Sequence, residues 1–371
     1  MKKYILFIFS FLFLSFPSFA NTELSKIADR FQSPWSLTMV QPNLYLITEK
    51  SGNLVLFNRQ TNSRKKISHN LNVLEDGQGG LLDVMYHKDY VYVTYAENRG
   101  QGKTSTSAAR AKFNESRLEF TNIFRAEPPI NSGYHFGSRI VIKDNYIFLS
   151  AGERGGDSIA QDPTKHPGSI IRIHLDGSIP KDNPKFKGKS NWLPDIYQIG
   201  IRNVQGMALS PYDGEVYMTN HGARGGDWFG KVNYAGNYGW DTLYWGGTKY
   251  SGLEGGPKWL PGFDKPITYY VPSIATSACL IYQGKEFPDW NGHALIASLR
   301  EQSLRKIIFK DNKLIQEDII FERKIGRIRD IKLDETGKVL LLTDQGFLWS
   351  LSKKKLNQFQ ISTKQNRIMF R

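Results

Sequence analysis

The residue types best able to do chemistry in this chain are a histidine between glycines, a glutamine in a glycine run, and several arginines on separate segments. His135 lies in "GYHFGSRI" at 133–140, just ahead of an apolar, β-rich run. A neutral imidazole takes a proton from a hydroxyl near pH 7, so His135 fits a general base. As a residue type alone it fits equally well a histidine bound to a turn carbonyl. Gln78 in "GQGGLLDV" offers a donor and an acceptor for orienting a hydroxylic ligand. Arg202 and Asn203 fall in "IGIRNVQG", Arg300 in "SLREQSLRK", and Arg327 and Arg329 in "IGRIRDI". If 327 and 329 share an extended strand, their side chains leave on the same side. Two guanidiniums facing one space suit a ligand bearing carboxylates. The stretch "NHGARGGDWFGKVNYAGNYGWD" at 220–241 is rich in glycine. Its tight bends would present backbone carbonyls, and Asp227 adds a carboxylate, the oxygen donors calcium takes. It has neither an EF-hand pattern nor zinc-type His/Cys spacing.

Groups so far apart in sequence need a fold that gathers loops. Helical periodicity is almost absent. Short β-rich runs such as "NLYLITEK", "YVYVTYAE", "YIFLSAGE" and "KVLLLTDQG" alternate with Gly, Asn, Asp and Pro. A loose repeat starts near Trp35, Gly80, Arg139, Gln205, Cys279 and Arg329, clearest in "VQGMALSPYDGEVYMTNHG" and "IRDIKLDETGKVLLLTDQG". Six copies predict an all-β, six-bladed β-propeller over residues 21–352, with a seven-bladed or sandwich arrangement as the alternative. Residues 22–32 are free to close the last blade. The "WD" at 240–241 belongs to a loop and is not a WD repeat.

Residues 1–20, "MKKYILFIFSFLFLSFPSFA", read as a cleaved signal peptide: two lysines, a short apolar core, then a small-x-small end. The core falls short of the about 20 apolar residues a membrane helix needs. Export to the periplasm is therefore expected. Cys279, the single cysteine, cannot pair within its own chain and reads as buried filler. The formal net charge is +14, and residues 353–371 form a basic, polar tail. In an exported protein this charge favours peripheral envelope association or an acidic small molecule over nucleic acid. A monomer and a homodimer are both compatible with the sequence.

From about Pro34 to Leu351 the chain resembles the glucose/sorbosone dehydrogenase family, in particular its soluble aldose sugar dehydrogenases that use pyrroloquinoline quinone (PQQ). The resemblance rests on "PWSL", "GQGGLLDV", "HFGSR", "AQDPTKHPGSIIRIHLDGSIPKDNP", "RNVQG", "HGARGGD", "NYGW" and "IRDI", in that order. It implies a six-bladed propeller with PQQ and Ca2+ in a rim pocket. His135 would be the general base and Gln78 a substrate contact. Arg202 and Asn203 would touch the quinone, while Arg327 and Arg329 would lie near its acidic groups. Gly222 and Ala223 would hold the cofactor calcium, and Tyr238 would belong to a second, structural calcium. Three departures stand out: Arg300 replaces a lysine beside the cofactor, Ala223 a proline, and Trp228 a glutamate of the second calcium site. Asp227 is the carboxylate left to substitute for it, and Tyr269 and Tyr270 are available as an aromatic wall.

The reaction so implied is oxidation of a cyclic aldose at its anomeric carbon to a lactone, with hydride passing to the quinone and electrons leaving to an unknown acceptor. Two other expectations compete. One is a calcium-dependent lactone hydrolase. The other is a non-catalytic exported propeller that binds a glycan or an envelope partner.

Overall fold

The computed structural model describes residues 22–186, 188 and 190–354. The expected signal peptide, and the tail from residue 355 onward, lie outside the described residues. The described chain is all-β, with two short 3-10 turns at Asp157–Gln161 and Pro288–Trp290. Its strands form six sheets arranged as the blades of a propeller, antiparallel except where Arg117–Leu118 adds in parallel to Ser63–His69 at the edge of the first.

The innermost strands are Pro34–Gln41, Leu81–His87, Gly137–Lys143, Val204–Leu209, Thr276–Ile281 and Ile328–Leu333. Each begins within three residues of a repeat start read from the sequence. Successive inner strands touch around a closed ring, the sixth against the first. Chain closure is mixed: the sixth blade takes Thr22–Ala28 as its outer strand, with Leu24 opposite Leu351. The strand that holds Leu351, Leu348–Lys353, runs one residue into the expected tail.

Blades pack face to face, so both faces of the middle strands are covered and the sequence runs continuously apolar rather than alternating. Val339–Thr343 is buried throughout, as is Leu44–Glu49. Between the fifth and sixth blades Leu295, Ala297 and Leu304 meet Ile331, Val339 and Leu341. Cys279 is buried in the neighbouring cluster with Tyr217 and Phe229, as expected of filler.

One irregularity recurs in every blade. Each inner strand shifts register against its neighbour near its first residues, between Pro34 and Ser36, Leu81 and Val84, Gly137 and Ile140, Val204 and Gly206, Thr276 and Cys279, and Ile328 and Asp330. A bulge re-aims the side chains it carries. The bulged positions include Trp35, Asp83, Arg139, Gln205, Ser277 and Arg329, most of which bond across blades.

Below the rim these side chains form a buried polar knot. Arg139 donates from Nη1 to Asp83 Oδ1 (3.1 Å) and Asp330 Oδ1 (2.9 Å), and from Nε to the Gln205 carbonyl (2.7 Å). Ser36 Oγ lies 2.6 Å from Asp83 Oδ1 and 2.9 Å from Asp330 Oδ2. The Ile140 amide donates to Asp83 Oδ2, and the Leu37 amide to the same Asp330 Oδ2 as Ser36. Arg139 also lies over the Trp35 ring, 4.1 Å from its centroid. Five blades are tied together by this one cluster.

Candidate active site

Above the knot opens a cavity of about 410 Å³, lined by Trp35, Lys50, Gln78, Asn203, Gln205, His221, Arg327, Arg329 and Asp344 among others. Four of the residues singled out from sequence therefore meet in one space: Gln78, Asn203, Arg327 and Arg329.

Strand ends and bulges explain how. Arg327 and Arg329 flank Ile328 at the start of the sixth inner strand, and both reach Asp344 at the end of the next strand. Arg327 Nε donates to Asp344 Oδ2 (2.8 Å) and Arg329 Nε to Oδ1 (2.8 Å). Arg329 Nη1 donates to Gln205 Oε1 at 2.8 Å. Burial opposes the charge of Asp344, but Arg329 and Arg327 outweigh it and hold its carboxyl below the ordinary range. Asn203 and Arg202 are fixed by Asn220, whose Oδ1 accepts both backbone amides at 2.8 and 3.0 Å. Gln78 follows Gly77, whose left-handed φ of +54° carries it so close to Gly133 that an added Cβ would sit 2.5 Å from the Gly133 carbonyl. Only glycine fits there.

His135 stands beside this cavity. Its backbone N–H donates to Gln78 Oε1 (2.9 Å), and two residues on Gly137 donates to Asn203 Oδ1 (3.0 Å). The turn is strained: φ is +50° at His135, +66° at Gly137 and +78° at Ser138. For non-glycine residues this costs on the order of 1–3 kcal/mol each, and it persists where neighbours enforce it. Here Arg154 does so, donating to the Tyr134 carbonyl and lying 3.6 Å over the Phe136 ring.

The imidazole is aimed by Glu153. His135 Nδ1 lies 2.5 Å from Glu153 Oε1, with the carboxylate fully buried and the ring 13 % exposed. Nδ1–H therefore donates to Glu153, and the ring edge left to solvent is Nε2, an unprotonated acceptor. Burial pulls the His135 pKa below its ordinary value; Glu153 opposes this and Arg202 adds to it. Burial would raise Glu153, but its bond to His135 and the Arg202 charge hold it below the usual carboxylate range. Arg202 Nε is 3.9 Å from Glu153 Oε1, and the guanidinium lies over Trp240 and Tyr250. Arg202 Nε is buried and has no hydrogen-bond partner.

The loop at 220–241 divides the expected ion ligands. Asp227 is buried and its carboxylate is filled by donors: Gly222 N and Ser273 Oγ at 2.8 Å on one oxygen, Ala275 N (2.6 Å) and Thr276 N (3.4 Å) on the other. It braces the loop. The Ala223 carbonyl receives only a 3.2 Å approach from Ser273, whose hydroxyl is nearer Asp227. Tyr238 donates to the Lys231 carbonyl, accepts from the Lys231 amide, and stacks on Trp228 at 4.2 Å. An aromatic pair thus occupies the surroundings where the second ion was expected. Among the described residues no three His, Cys, Asp or Glu side chains gather as a metal cluster. Arg300 is exposed, holds the Ser273 carbonyl at 3.3 Å, and does not line the cavity. Tyr269 and Tyr270 belong to the outer strand of the fourth blade, away from the cavity.

The glucose/sorbosone dehydrogenase family model matches residues 31–349. The chain belongs to that family. It is 31% identical over 346 residues to the aldose sugar dehydrogenase YliI of Escherichia coli K12, covering 89% of this chain and 91% of that one. The apo-form crystal structure of the soluble aldose sugar dehydrogenase from Escherichia coli superposes with a TM-score of 0.85 at 30% identity, covering 90% of this chain and all of that one. Quinoprotein glucose dehydrogenase B of Acinetobacter calcoaceticus is 28% identical over 257 residues, 60% of this chain and 53% of its own length. The names of these relatives agree with an oxidoreductase, and the solved fold agrees with the six-bladed propeller expected from the repeats.

Sequence reasoning missed Glu153, Lys50, Gln205, His221, Asp344 and Trp35. A signal for Glu153 and Asp344 was present, and Lys50 and His221 directly follow the equivalent positions in their blades. Glu49, Glu153, Asn220 and Asp344 all fall at or just after the end of a blade's second strand, in "ITEK", "AGER", "MTNH" and "LTDQ". Aligning the repeats on that position would have brought the four onto one rim.

Proposed function

We propose that this protein is a periplasmic, PQQ-dependent aldose dehydrogenase that oxidises cyclic sugars at the anomeric carbon to lactones. The observation that carries the reading is the His135–Glu153 pair, buried on its Nδ1 side and open at Nε2, beside a cavity rich in cations. The quinoprotein relative supports the choice of cofactor class.

The donor set suits PQQ, a planar quinone bearing carboxylates. Arg327, Arg329 and Asn203 line the cavity and would offer donors to the carboxylates and quinone oxygens, Arg329 through hydrogens not already given to Asp344 and Gln205, while Arg202, with its buried partnerless Nε, lies outside the lining beside Glu153. The under-used carbonyl of Ala223, with that of Gly222, can take a calcium ion; Asp227 serves by holding the loop in shape. When bound, the quinone supplies a two-electron acceptor for the anomeric hydrogen. His135 Nε2 takes the anomeric hydroxyl proton, and Glu153 stabilises the imidazolium so formed. Gln78, fixed through its bond to the His135 amide, orients the sugar hydroxyls. The electrons then pass to an external acceptor.

Apo-protein titrated with PQQ and calcium tests the reading. Saturable PQQ binding is expected, then dye reduction that depends on added aldose and yields the lactone. An inability to bind PQQ would instead favour the non-catalytic glycan-binding propeller. Lactone hydrolysis without PQQ would favour the hydrolase.

A further inference from the structure

The cavity contains a cation that the family resemblance did not assign, and it lacks one that the resemblance did. Lys50 directly follows Glu49 at the end of the first blade's second strand. Its backbone is fixed on both sides, the amide donating to the Ser33 carbonyl and the carbonyl accepting from Leu81, both at 3.1 Å. The Glu49 carboxylate does not neutralise it, because that carboxylate serves the Gln32 amide (2.7 Å) and Asn53 Nδ2 (2.8 Å). Lys50 Nζ reaches into the cavity wall and donates to the Gly77 carbonyl at 2.7 Å, leaving two further N–H donors.

The charge lining the cavity favours an anion, with the Glu75 and Asp76 carboxylates acting on Lys50 from outside the lining. Of the charged side chains lining the cavity, Lys50, Arg327 and Arg329 are cationic, and Asp344 alone is anionic. Asp344 shares its carboxylate between the two guanidiniums at their Nε edges, so it organises them without neutralising both. Arg300, expected to stand for the relatives' lysine, is instead exposed and outside the lining.

We propose that Lys50 is a cofactor anchor, its ammonium binding a carboxylate of PQQ in concert with Arg327 and Arg329, and that Arg300 does not fill that place. This rests on the PQQ reading above. A point charge on a flexible stem, already tethered to Gly77 beside Gln78, adapts to a carboxylate edge that two clamped guanidiniums leave uncovered.

The test is PQQ affinity, read by quenching of intrinsic fluorescence in the full chain with calcium present, with circular dichroism confirming the fold of each variant. Lys50→Met is expected to raise Kd about tenfold or more, the loss of a charge-assisted hydrogen bond. It should also flatten the salt dependence of binding, and Lys50→Arg should recover part of the loss. Arg300→Met should change Kd by less than about threefold, as for an exposed contact. Unchanged affinity in folded Lys50→Met, or a larger loss in Arg300→Met, overturns the assignment while leaving the functional reading intact. An unchanged Kd with a raised KM for sugar does so too, placing Lys50 on the substrate. If the unaltered chain binds no PQQ, the functional reading falls and this assignment with it.

Discussion

His135→Ala lowers kcat for aldose oxidation by about 10²–10⁴-fold, the usual contribution of a positioned general base, while PQQ affinity stays near that of the unaltered chain. The two readouts separate because the imidazole faces solvent through Nε2, whereas the cationic cavity wall comes from other blades. Glu153→Gln tests the reason for that placement. The amide oxygen still accepts from Nδ1–H, so the loss in kcat is smaller than for His135→Ala, but the negative charge is gone. That charge and its hydrogen bond raise the His135 pKa against burial and Arg202. Removing the charge lets the pKa fall further, so the acid limb of kcat/KM moves to lower pH.

Arg202→Met has the opposite sign, because it removes a cation that disfavours imidazolium. Its limb moves to higher pH. In the unaltered protein the limb lies below the ordinary histidine value of about 6.5, since neutral His135 is the active form and its pKa is depressed. Shifts in one direction for both variants, or none for either, would show that another group titrates.

What was legible in the sequence follows from what local patterning records. Six strand-turn-strand copies write the propeller directly, because each blade repeats one hydrophobic pattern. The left-handed turn at "HFGS" and the glycine approach at Gly77 are local too, so their motifs survived as readable strings. The pairing of Glu153 with His135 was not legible, for a different reason. Its partner lies eighteen residues away on the chain, and only the pairing of Gly137 with Ala151 across the third blade brings them together. Asp227 was read as an ion ligand because a carboxylate in a glycine loop has that chemistry. Its four donors come from residues 222 and 273–276, and no spacing rule discloses them. Arg139 was noticed only as a repeat start and as part of the His135 stretch.

That arginine carries the second large effect. Arg139→Met leaves the buried carboxylates of Asp83 and Asp330 facing each other with the Ser36 hydroxyl and, 3.5 Å from Asp330 Oδ2, the Lys332 ammonium as their remaining side-chain partners, a loss toward the low end of the about 3–5 kcal/mol seen for other broken buried pairs. The melting temperature falls by roughly 5–10 °C in a chain of this size. Arg139→Lys recovers little, because one ammonium cannot at once reach the two carboxylates, the Gln205 carbonyl and the Arg329 carbonyl while stacking on Trp35. Arg139→Met combined with Asp83→Asn and Asp330→Asn regains part of the stability, since no buried charge is then left alone. A melting temperature unchanged in the single variant would refute the knot's role. The same substitution reaches the active site, because Arg139 Nη2 holds the Arg329 carbonyl at 3.0 Å and Nε holds that of Gln205, whose side chain supports the Arg329 guanidinium. PQQ affinity therefore weakens in Arg139→Met even below its melting transition, and the triple variant restores stability more fully than affinity. Removing the two carboxylates relieves the buried charge but returns neither carbonyl contact, so stability and cofactor binding part company at this residue.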